Sequence, residues 1–139
     1  MHWADIGSGA GLPGLVIAIL TNRPVTLIEP RRLRAKFLRH SSEMLGISNV
    51  LTIQAKAEAA HIAQPADIVS ARAVAKLDTL FAVSRHLMAR STTFILPKGE
   101  SAEREVATAR QSWHGEFHVE QSIVDPKAGI VIAQGVRPR

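Results

Sequence analysis

Short apolar runs alternate along the chain with longer stretches of helical periodicity, and this alternation constrains the fold more than any other feature. A parallel sheet needs a crossover after each strand and is covered by helices on both faces, so strand and helix patterns take turns along its sequence. We therefore predict an α/β fold, a doubly wound sheet of seven mostly parallel strands. The predicted strands are Trp3–Ile6, Val25–Glu29, Val50–Ile53, Asp67–Ser70, Thr93–Leu96, Phe117–Val119 continuing toward Val124, and Ile130–Ala133.

The helical pattern predicts helices that begin near Pro13, Arg31, Lys76 and Glu100, and a short helical turn near Glu58. Pro13 suits the first turn of a helix. For the helix from Arg31, Gly46 is the expected left-handed end. Only residues 125–129 separate the last two strands, too few for a crossover helix, so we expect an antiparallel hairpin there. The predicted core face of the Arg31 helix comprises Leu33, Phe37, Leu38, Met44 and Leu45.

The length of 139 residues predicts one domain, residues 1–139. The chain has no cysteine, which excludes disulfides, thiolate metal sites and cysteine nucleophiles, and its six histidines show no metal-binding spacing. The net charge of +5 suits a polyanionic partner.

No signal peptide precedes the first strand, so we expect a cytoplasmic protein, and we expect a monomer. Because that strand begins at the third residue, we also expect that a leading segment is missing or that the natural start is abrupt.

A glycine-rich stretch, Asp5-Ile6-Gly7-Ser8-Gly9-Ala10-Gly11, joins the first predicted strand to the first helix. In this context glycines let the backbone turn sharply and approach a ligand, and the helix start offers free N–H groups. Glu29 ends the second strand, where a carboxylate can accept hydrogen bonds from both hydroxyls of a ribose. We therefore predict a nucleoside site at the carboxyl ends of the strands, with Asp5, Gly7, Gly9, Gly11 and Glu29.

Two cofactor classes fit this loop. Residues 9–14 satisfy the G-x-G-x-x-G pattern of dinucleotide-binding folds, so a nicotinamide cofactor stays an alternative. Asp5, just before the first glycine, suits an ammonium group better than a pyrophosphate, which favours S-adenosylmethionine. The chain is also too short for the separate substrate domain that most dehydrogenases carry. A terminal hairpin after parallel strand–helix units is likewise typical of the methyltransferase version of this sheet.

The stretch from Asp5 to Gly14, with Pro13-Gly14 directly after the glycine loop, resembles the RsmG family, also called glucose-inhibited division protein B. Three further stretches agree in order and spacing: Arg34-Ala35-Lys36-Phe37-Leu38-Arg39, Ser70-Ala71-Arg72-Ala73-Val74-Ala75-Lys76-Leu77, and Pro97-Lys98-Gly99. The resemblance covers nearly the whole chain. It implies a class I methyltransferase fold and methylation of N7 of one guanine in 16S ribosomal RNA of the small subunit.

Family resemblance also implies particular contacts with S-adenosylmethionine. Gly7 and Leu12 match the loop positions, Ala57 and Glu58 match the pair after the third strand, and Arg72 matches an arginine after the fourth strand. Family members carry a helical segment of several dozen residues before the first strand, which this chain does not. We therefore expect impaired RNA docking and stability, with cofactor binding less affected. A methyltransferase for another nucleic-acid or small-molecule acceptor is the alternative within this class.

The acceptor chemistry can be tested against the residues themselves. The fourth strand ends in Ser70-Ala71-Arg72-Ala73, without the Asn/Asp-Pro-Pro-aromatic motif of enzymes that methylate exocyclic amines. Guanine N7 carries an in-plane lone pair and needs no general base, so alignment should dominate catalysis. We predict Arg72 as the catalytic residue, because a guanidinium can orient the cofactor or a substrate oxygen by paired hydrogen bonds. The predicted RNA-binding residues are Arg31, Arg32, Arg34, Lys36, Arg39 and Lys98, and no metal site is expected.

Overall fold

Residues 1–72 and 75–139, which the computed structural model describes, form seven strands and four α-helices. The strands are β1 (Trp3–Ile6), β2 (Val25–Ile28), β3 (Val50–Ile53), β4 (Ala66–Ala71), β5 (Met88–Gly99), β6 (Trp113–Gln121) and β7 (Gly129–Pro138). The helices are α1 (Gly14–Thr21), α2 (Arg32–Met44), α3 (Leu77–Val83) and α4 (Ala102–Ala109), with 3₁₀ turns at Ala57–Ala59 and Arg85–Leu87. Ala73 and Val74, which belong to the Ser70–Leu77 stretch, lie outside the described residues.

All seven strands belong to one sheet in the order β3-β2-β1-β4-β5-β7-β6. The first five are parallel to their neighbours, whereas β7 pairs antiparallel with both β5 and β6. The predicted fold class and terminal hairpin are therefore confirmed. The chain winds outward from β1 through β2 to β3 and then returns to β4 on the other side of β1. Such a reversal of strand order opens a crevice at the carboxyl ends of β1 and β4.

The strand boundaries agree closely with the sequence pattern for β1 to β4, whereas β5 and β7 extend well beyond their predicted bounds of Thr93–Leu96 and Ile130–Ala133. β1 and β3 have the predicted bounds, and the turn at Ala57–Ala59 stands where a short helical turn was expected. β6 differs: it begins at Trp113 and stops at Gln121, so the predicted continuation to Val124 is wrong. Val124 is 93% exposed in the link before β7, beyond the last residue of β6 that pairs with β7, Gln121.

Helix α2 packs on the sheet through a different face from the predicted one. Its buried residues are Ala35, Leu38 and Ser42, and the Ser42 hydroxyl donates to the carbonyl of Leu38 at 2.8 Å. Small side chains at two of these positions let the helix lie close to the sheet, which rotates the large apolar residues away from it. Of the predicted core face only Leu38 is buried, and four predicted core residues are exposed: Leu33, Phe37, Met44 and Leu45.

The two faces of the sheet carry separate apolar cores. On one face α1 and α2 cover a cluster that contains Trp3, Leu27 and Leu38. On the other face a larger cluster is centred on Phe81, whose ring makes edge contacts with Phe94 at 5.0 Å and with Trp113 at 5.5 Å. Both tryptophans are buried. Covering both faces leaves the strand ends as the accessible part of the sheet.

Two classes of feature do not occur in the described part of the chain. No helix there has the length and apolar character to cross a membrane. No group of three or more His, Asp or Glu side chains in residues 1–72 and 75–139 comes together as a metal site would require.

Candidate functional site

The glycine loop after β1 is held against the next strand. The backbone N–H groups of Gly7 and Ser8 both donate to the carbonyl of Ile28, at 2.8 and 3.2 Å. Gly7 and Gly9 have φ angles of 67° and 55°, a left-handed conformation that side-chain-bearing residues rarely adopt. The loop therefore turns back over the end of β2 and brings bare backbone to the edge of the sheet.

Glu29 stands at the end of β2, directly below this loop. Its carboxylate accepts hydrogen bonds from the backbone N–H of Gly9 at 3.0 Å and of Arg31 at 2.8 Å. The side chain is only 3% exposed, so these two donors set its orientation. A carboxylate has about four acceptor positions, and each oxygen keeps a lone pair beyond these bonds. The arrangement can accept hydrogen bonds from two adjacent hydroxyl groups.

Asp5 lies beneath the loop and ties three elements together. Its carboxylate accepts from the Ser70 hydroxyl at 2.6 Å and from the Gly14 N–H at 3.2 Å, and the Trp3 indole N–H donates to Ser70 at 2.8 Å. A Cβ on Gly14 would lie 2.6 Å from the Asp5 carboxylate, so only glycine allows α1 to start this close to β1. Burial raises the pKa of Asp5 and outweighs the opposing hydrogen bonds of Ser70 and Gly14.

An open cleft of about 1070 Å³ extends from the glycine loop across the ends of β1, β2 and β4. It lies at the crevice that the reversal of strand order creates. Six of the predicted cofactor-binding residues line it: Gly7, Gly9, Glu29, Ala57, Glu58 and Arg72. Two of the predicted RNA-binding residues, Arg31 and Arg34, line the same cleft. The structure thus brings together residues that lie up to 65 positions apart in sequence.

The other predicted site residues lie outside this lining. Gly11 is buried against Leu15, and Leu12 is exposed at 45%. Arg39 donates to the carbonyl of Thr52 at 3.3 Å. Their roles, like those of all the predicted site residues, stay predictions. The complete set outside the cleft lining is Asp5, Gly11, Leu12, Arg32, Lys36, Arg39 and Lys98.

Lys98 lies one residue before the end of β5, and its ammonium group points into the protein. It lies 3.2 Å from the Glu105 carboxylate and donates to the carbonyl of Ala75, and its side chain is 8% exposed. Glu105 also accepts from the Leu77 N–H at 3.2 Å, at the start of α3. Burial alone would raise the pKa of Glu105, but hydrogen bonds from Ser101 and the charge of Lys98 together lower it. A phosphate contact from Lys98 would require this ion pair to open.

Several cleft residues did not emerge from the sequence pattern. Lys56 could have been found because it directly precedes the predicted pair Ala57 and Glu58. Phe37 was instead assigned to the core, because its spacing of four residues from Leu33 is also the spacing of a buried helix face. The cleft-lining residues that the sequence analysis did not assign to the site are Ile6, Ser8, Ala10, Ile28, Pro30, Leu33, Phe37, Lys56, Ala75, Thr79 and Val83.

Solved structures that resemble this chain share its fold. A mutant of MtNAS in complex with S-adenosylmethionine superposes with a TM-score of 0.75 at 15% identity, over 96% of this chain and 54% of that one. An rRNA methylase from Streptococcus thermophilus superposes with a TM-score of 0.67 at 12% identity, over 98% of this chain and 87% of that one. At these identities the likeness establishes the architecture alone.

Comparison with known sequences identifies the family of this chain. The model of the GidB family, described as rRNA small subunit methyltransferase G, matches residues 1–131. The ribosomal RNA small subunit methyltransferase G of Novosphingobium aromaticivorans is 47% identical over 96% of this chain and 58% of its own length. The protein of the same description from Rhizorhabdus wittichii is 41% identical over 100% of this chain and 64% of its own. This chain thus spans about three fifths of these relatives, and it belongs to the GidB family of rRNA small subunit methyltransferases G.

Proposed function

We propose that the chain binds S-adenosylmethionine and transfers its methyl group to N7 of a guanine in the 16S ribosomal RNA of the small subunit. The observation that carries the proposal is the cleft at the strand reversal, where the glycine loop, Glu29 and Arg72 meet in a member of this family. The names of the relatives supply the substrate class, and the acceptor atom is what the family resemblance implies. The conclusion also agrees with the net charge of +5.

The residues present fit an adenosyl group. Glu29 keeps lone pairs for the two ribose hydroxyls while Gly9 and Arg31 hold it in place. The backbone at Gly7 and Gly9 leaves room at the strand end because neither residue has a side chain. Ala57 gives the cleft an apolar surface against which a base can pack. Glu58, which follows Ala57, would then lie beside the adenine, as the family resemblance implies.

The methyl transfer depends on aligning the two reactants and needs no proton transfer. When bound, S-adenosylmethionine supplies a methyl group on a positively charged sulfur. The N7 lone pair of guanine lies in the plane of the ring and carries no proton, so the protein need not remove one. The residues of the cleft instead hold the two partners in line and exclude water, an effect that contributes about 7 to 11 kcal/mol in favourable cases.

Arg72 is the residue to which we assign that alignment. It is exposed, follows directly after β4 and lines the cleft on the side opposite Glu29 in the strand order. A guanidinium offers two parallel N–H groups to one carboxylate or to a substrate oxygen, which fixes direction as well as distance. Guanine N7 faces a deep, narrow groove in an RNA helix, so the target nucleotide must be unpaired or extruded to reach this residue.

A calorimetric titration of the purified chain with S-adenosylhomocysteine tests the cofactor class. We expect saturable one-site binding, and Glu29→Gln should weaken it by roughly tenfold or more, because an amide nitrogen replaces one of the two acceptors. Reduced nicotinamide dinucleotide serves as the parallel ligand. Binding of the dinucleotide alone would overturn the proposal in favour of a nicotinamide-binding module.

The acceptor is tested separately on small ribosomal subunits that lack the modification. After incubation with S-adenosylmethionine carrying a labelled methyl group, nuclease digestion and mass analysis should place the label on N7-methylguanine in 16S RNA. Label on another base would keep the methyltransferase assignment and refute the acceptor. Saturable binding of S-adenosylhomocysteine without any label in the RNA would separate cofactor binding from catalysis in this chain.

A further inference from the structure

Phe37 differs from the other aromatic residues of the chain in being exposed. Among the six aromatic side chains, Trp3, Trp113, Phe81 and Phe94 are buried and Phe117 is partly buried, whereas Phe37 is 51% exposed. It lies on the wall of the cleft that holds Glu29 and the glycine loop. An aromatic ring that meets water inside a binding cleft is a natural contact for a planar ligand.

The position of Phe37 follows from how α2 packs. Leu33 and Phe37 are four residues apart and therefore share one side of the helix. The sheet is contacted instead by Ala35 and Leu38, both fully buried. Leu33, at 70% exposure, also lines the cleft, so the two side chains form one apolar strip that faces the cleft rather than the core.

The strip is surrounded by positive charge. Arg31 and Arg34 line the cleft close to Leu33 in sequence, and Arg72 lines the same cleft directly after β4. The Arg34 guanidinium lies over the glycine loop, 3.8 Å from the point where a Cβ on Gly9 would stand. Among the described residues the ion pairs are Lys98–Glu105 and His118–Glu120, and neither involves these arginines. A partner that matches the surface has a planar apolar part and an anionic part.

We propose that Phe37, backed by Leu33, is a stacking platform for an unpaired base of the RNA substrate, with Arg34 contacting the adjoining phosphate. The proposal rests on the proposed function, because an RNA acceptor methylated at N7 must present single-stranded nucleotides at this cleft. Stacking on an aromatic side chain is tolerant of base identity and is the usual way in which proteins hold single-stranded nucleic acid. The base and the cofactor would then share one cleft, the base against Phe37 of α2 and the cofactor against the glycine loop and Glu29.

The test measures the affinity of a fluorescein-labelled, mixed-sequence oligoribonucleotide of eight nucleotides for the chain saturated with S-adenosylhomocysteine. Phe37→Ala should weaken oligonucleotide binding by roughly ten- to hundredfold, and Phe37→Trp should restore it. Met44→Ala is the matched control, since Met44 is 74% exposed on the same helix but outside the cleft, and it should leave the affinity unchanged. Calorimetry on Phe37→Ala should give the wild-type affinity for S-adenosylhomocysteine, which also shows that the variant is folded.

Salt dependence separates stacking from charge. The slope of log affinity against log salt concentration should be unchanged in Phe37→Ala, because no ion pair is lost. Arg34→Gln should reduce that slope by about 0.7, the value for one phosphate contact on a single strand. Equal oligonucleotide affinities for Phe37→Ala and Met44→Ala would overturn the platform.

Two other occupants of the strip give distinct results. If Phe37→Ala weakens S-adenosylhomocysteine binding to the same extent, the ring contacts the cofactor and the platform is refuted. If the wild-type chain sediments as a dimer that Phe37→Ala dissociates, a second copy covers the strip and the platform is again refuted. If S-adenosylhomocysteine does not bind the wild-type chain, the proposed function is refuted. Oligonucleotide binding measured in the absence of S-adenosylhomocysteine would still support the platform if Phe37→Ala weakens it.

Discussion

Asp5 holds structural elements together, but burial of its charged carboxylate lowers the free energy of unfolding by an amount that depends on pH. Its buried carboxylate holds the start of α1 through Gly14 and bonds to Ser70 on β4, yet burial raises its pKa. A raised pKa in the folded state means that folding is favoured most at low pH. This contribution is lost as pH rises from the ordinary value of 3.8 through the raised pKa, and it does not change further above that pKa.

Substitutions at Asp5 should separate its hydrogen bonds from its charge. Asp5→Ala leaves two buried donors unpaired and should lower the free energy of unfolding by about 2 to 4 kcal/mol. Asp5→Asn should cost less, because its amide oxygen can accept from the Gly14 N–H while its amide nitrogen donates to the Ser70 hydroxyl oxygen. The unfolding free energy of the wild type relative to Asp5→Asn should fall as pH rises above 3.8. Urea titrations at a series of pH values measure both effects. A flat difference across pH would show that the carboxylate is not destabilised by burial.

The same variants address the predicted contact between Asp5 and the ammonium group of the cofactor. If Asp5 acts through Gly14 and Ser70, Asp5→Asn should bind S-adenosylhomocysteine with nearly the wild-type affinity. A loss of roughly tenfold or more in calorimetry, at unchanged stability, would instead support a direct ionic contact.

Arg72 gives a prediction about activity. Arg72→Lys keeps the charge but loses the paired N–H geometry, so turnover on unmethylated small subunits should fall by roughly ten- to hundredfold. Arg90→Lys is the matched control, because Arg90 is exposed on β5 and does not line the cleft. The labelled-methyl assay on 16S RNA measures both variants. Unchanged turnover in Arg72→Lys would remove Arg72 from the catalytic assignment.

At the scale of elements, the attachment of α1 to the sheet depends on a missing side chain. A Cβ on Gly14 would lie 2.4 Å from the Leu27 side chain and 2.6 Å from the Asp5 carboxylate. Gly14→Ala should therefore lower the free energy of unfolding by about 1 to 3 kcal/mol, although alanine favours helices. Thermal or urea unfolding is the measurement. A Gly14→Ala protein as stable as the wild type would mean that α1 can move away from β2 at little cost.

Gly46→Ala provides the comparison for that variant. Gly46 has a φ of 65° and open space around its Cβ position. Alanine there meets backbone strain of about 1 to 2 kcal/mol but no steric contact. Because Gly46 lies beyond the end of α2, its substitution should leave the affinity for S-adenosylhomocysteine unchanged, whereas Gly14→Ala should reduce it by displacing the glycine loop.

Lys98 and Glu105 add polar contacts between β5, α3 and α4 to the apolar core that these elements share. Lys98→Met should destabilise the protein by about 1 to 3 kcal/mol, between the values for exposed and fully buried pairs. The double variant with Glu105→Gln should cost less than the two single variants together. Because the pKa of Glu105 is lowered, the pair stabilises the protein above the ordinary value of 4.5, and this contribution is lost as pH falls through the lowered pKa.

The exposed pair His118–Glu120 is the control for this experiment. Its side chains are 66% and 58% exposed, so Glu120→Gln should change the unfolding free energy little. If Lys98→Met is as mild as Glu120→Gln, the interior pair does not hold α3 and α4 against the sheet.

At the scale of the whole molecule, the cleft joins both halves of the sheet. Its walls come from the loops after β1, β2, β3 and β4 and from α2 and α3, so a ligand bound there contacts several elements of the fold at once. Binding to the folded state alone raises stability by mass action, by about 2.7 kcal/mol at a ligand concentration of 100 Kd. S-adenosylhomocysteine at that concentration should therefore raise the Tm by several degrees in a thermal-shift measurement, and Glu29→Gln should reduce the increase.

Local patterns in the chain are sufficient to predict the strands β1 to β4, the existence but not the length of β5, the terminal hairpin, and the placement of the glycine loop and Glu29 at strand ends. Apolar runs, glycines and helix starts act on neighbours a few residues away, so they can be interpreted without the rest of the molecule. The face of α2 that packs on the sheet is set by the small side chains of Ala35 and Ser42, which fit closely against the strands. Hydrophobic periodicity alone does not predict this face. The engagement of Lys98 with Glu105, and of Asp5 with Ser70 sixty-five residues away, likewise required the folded chain, because buried polar groups pair with whichever donors the packing brings near.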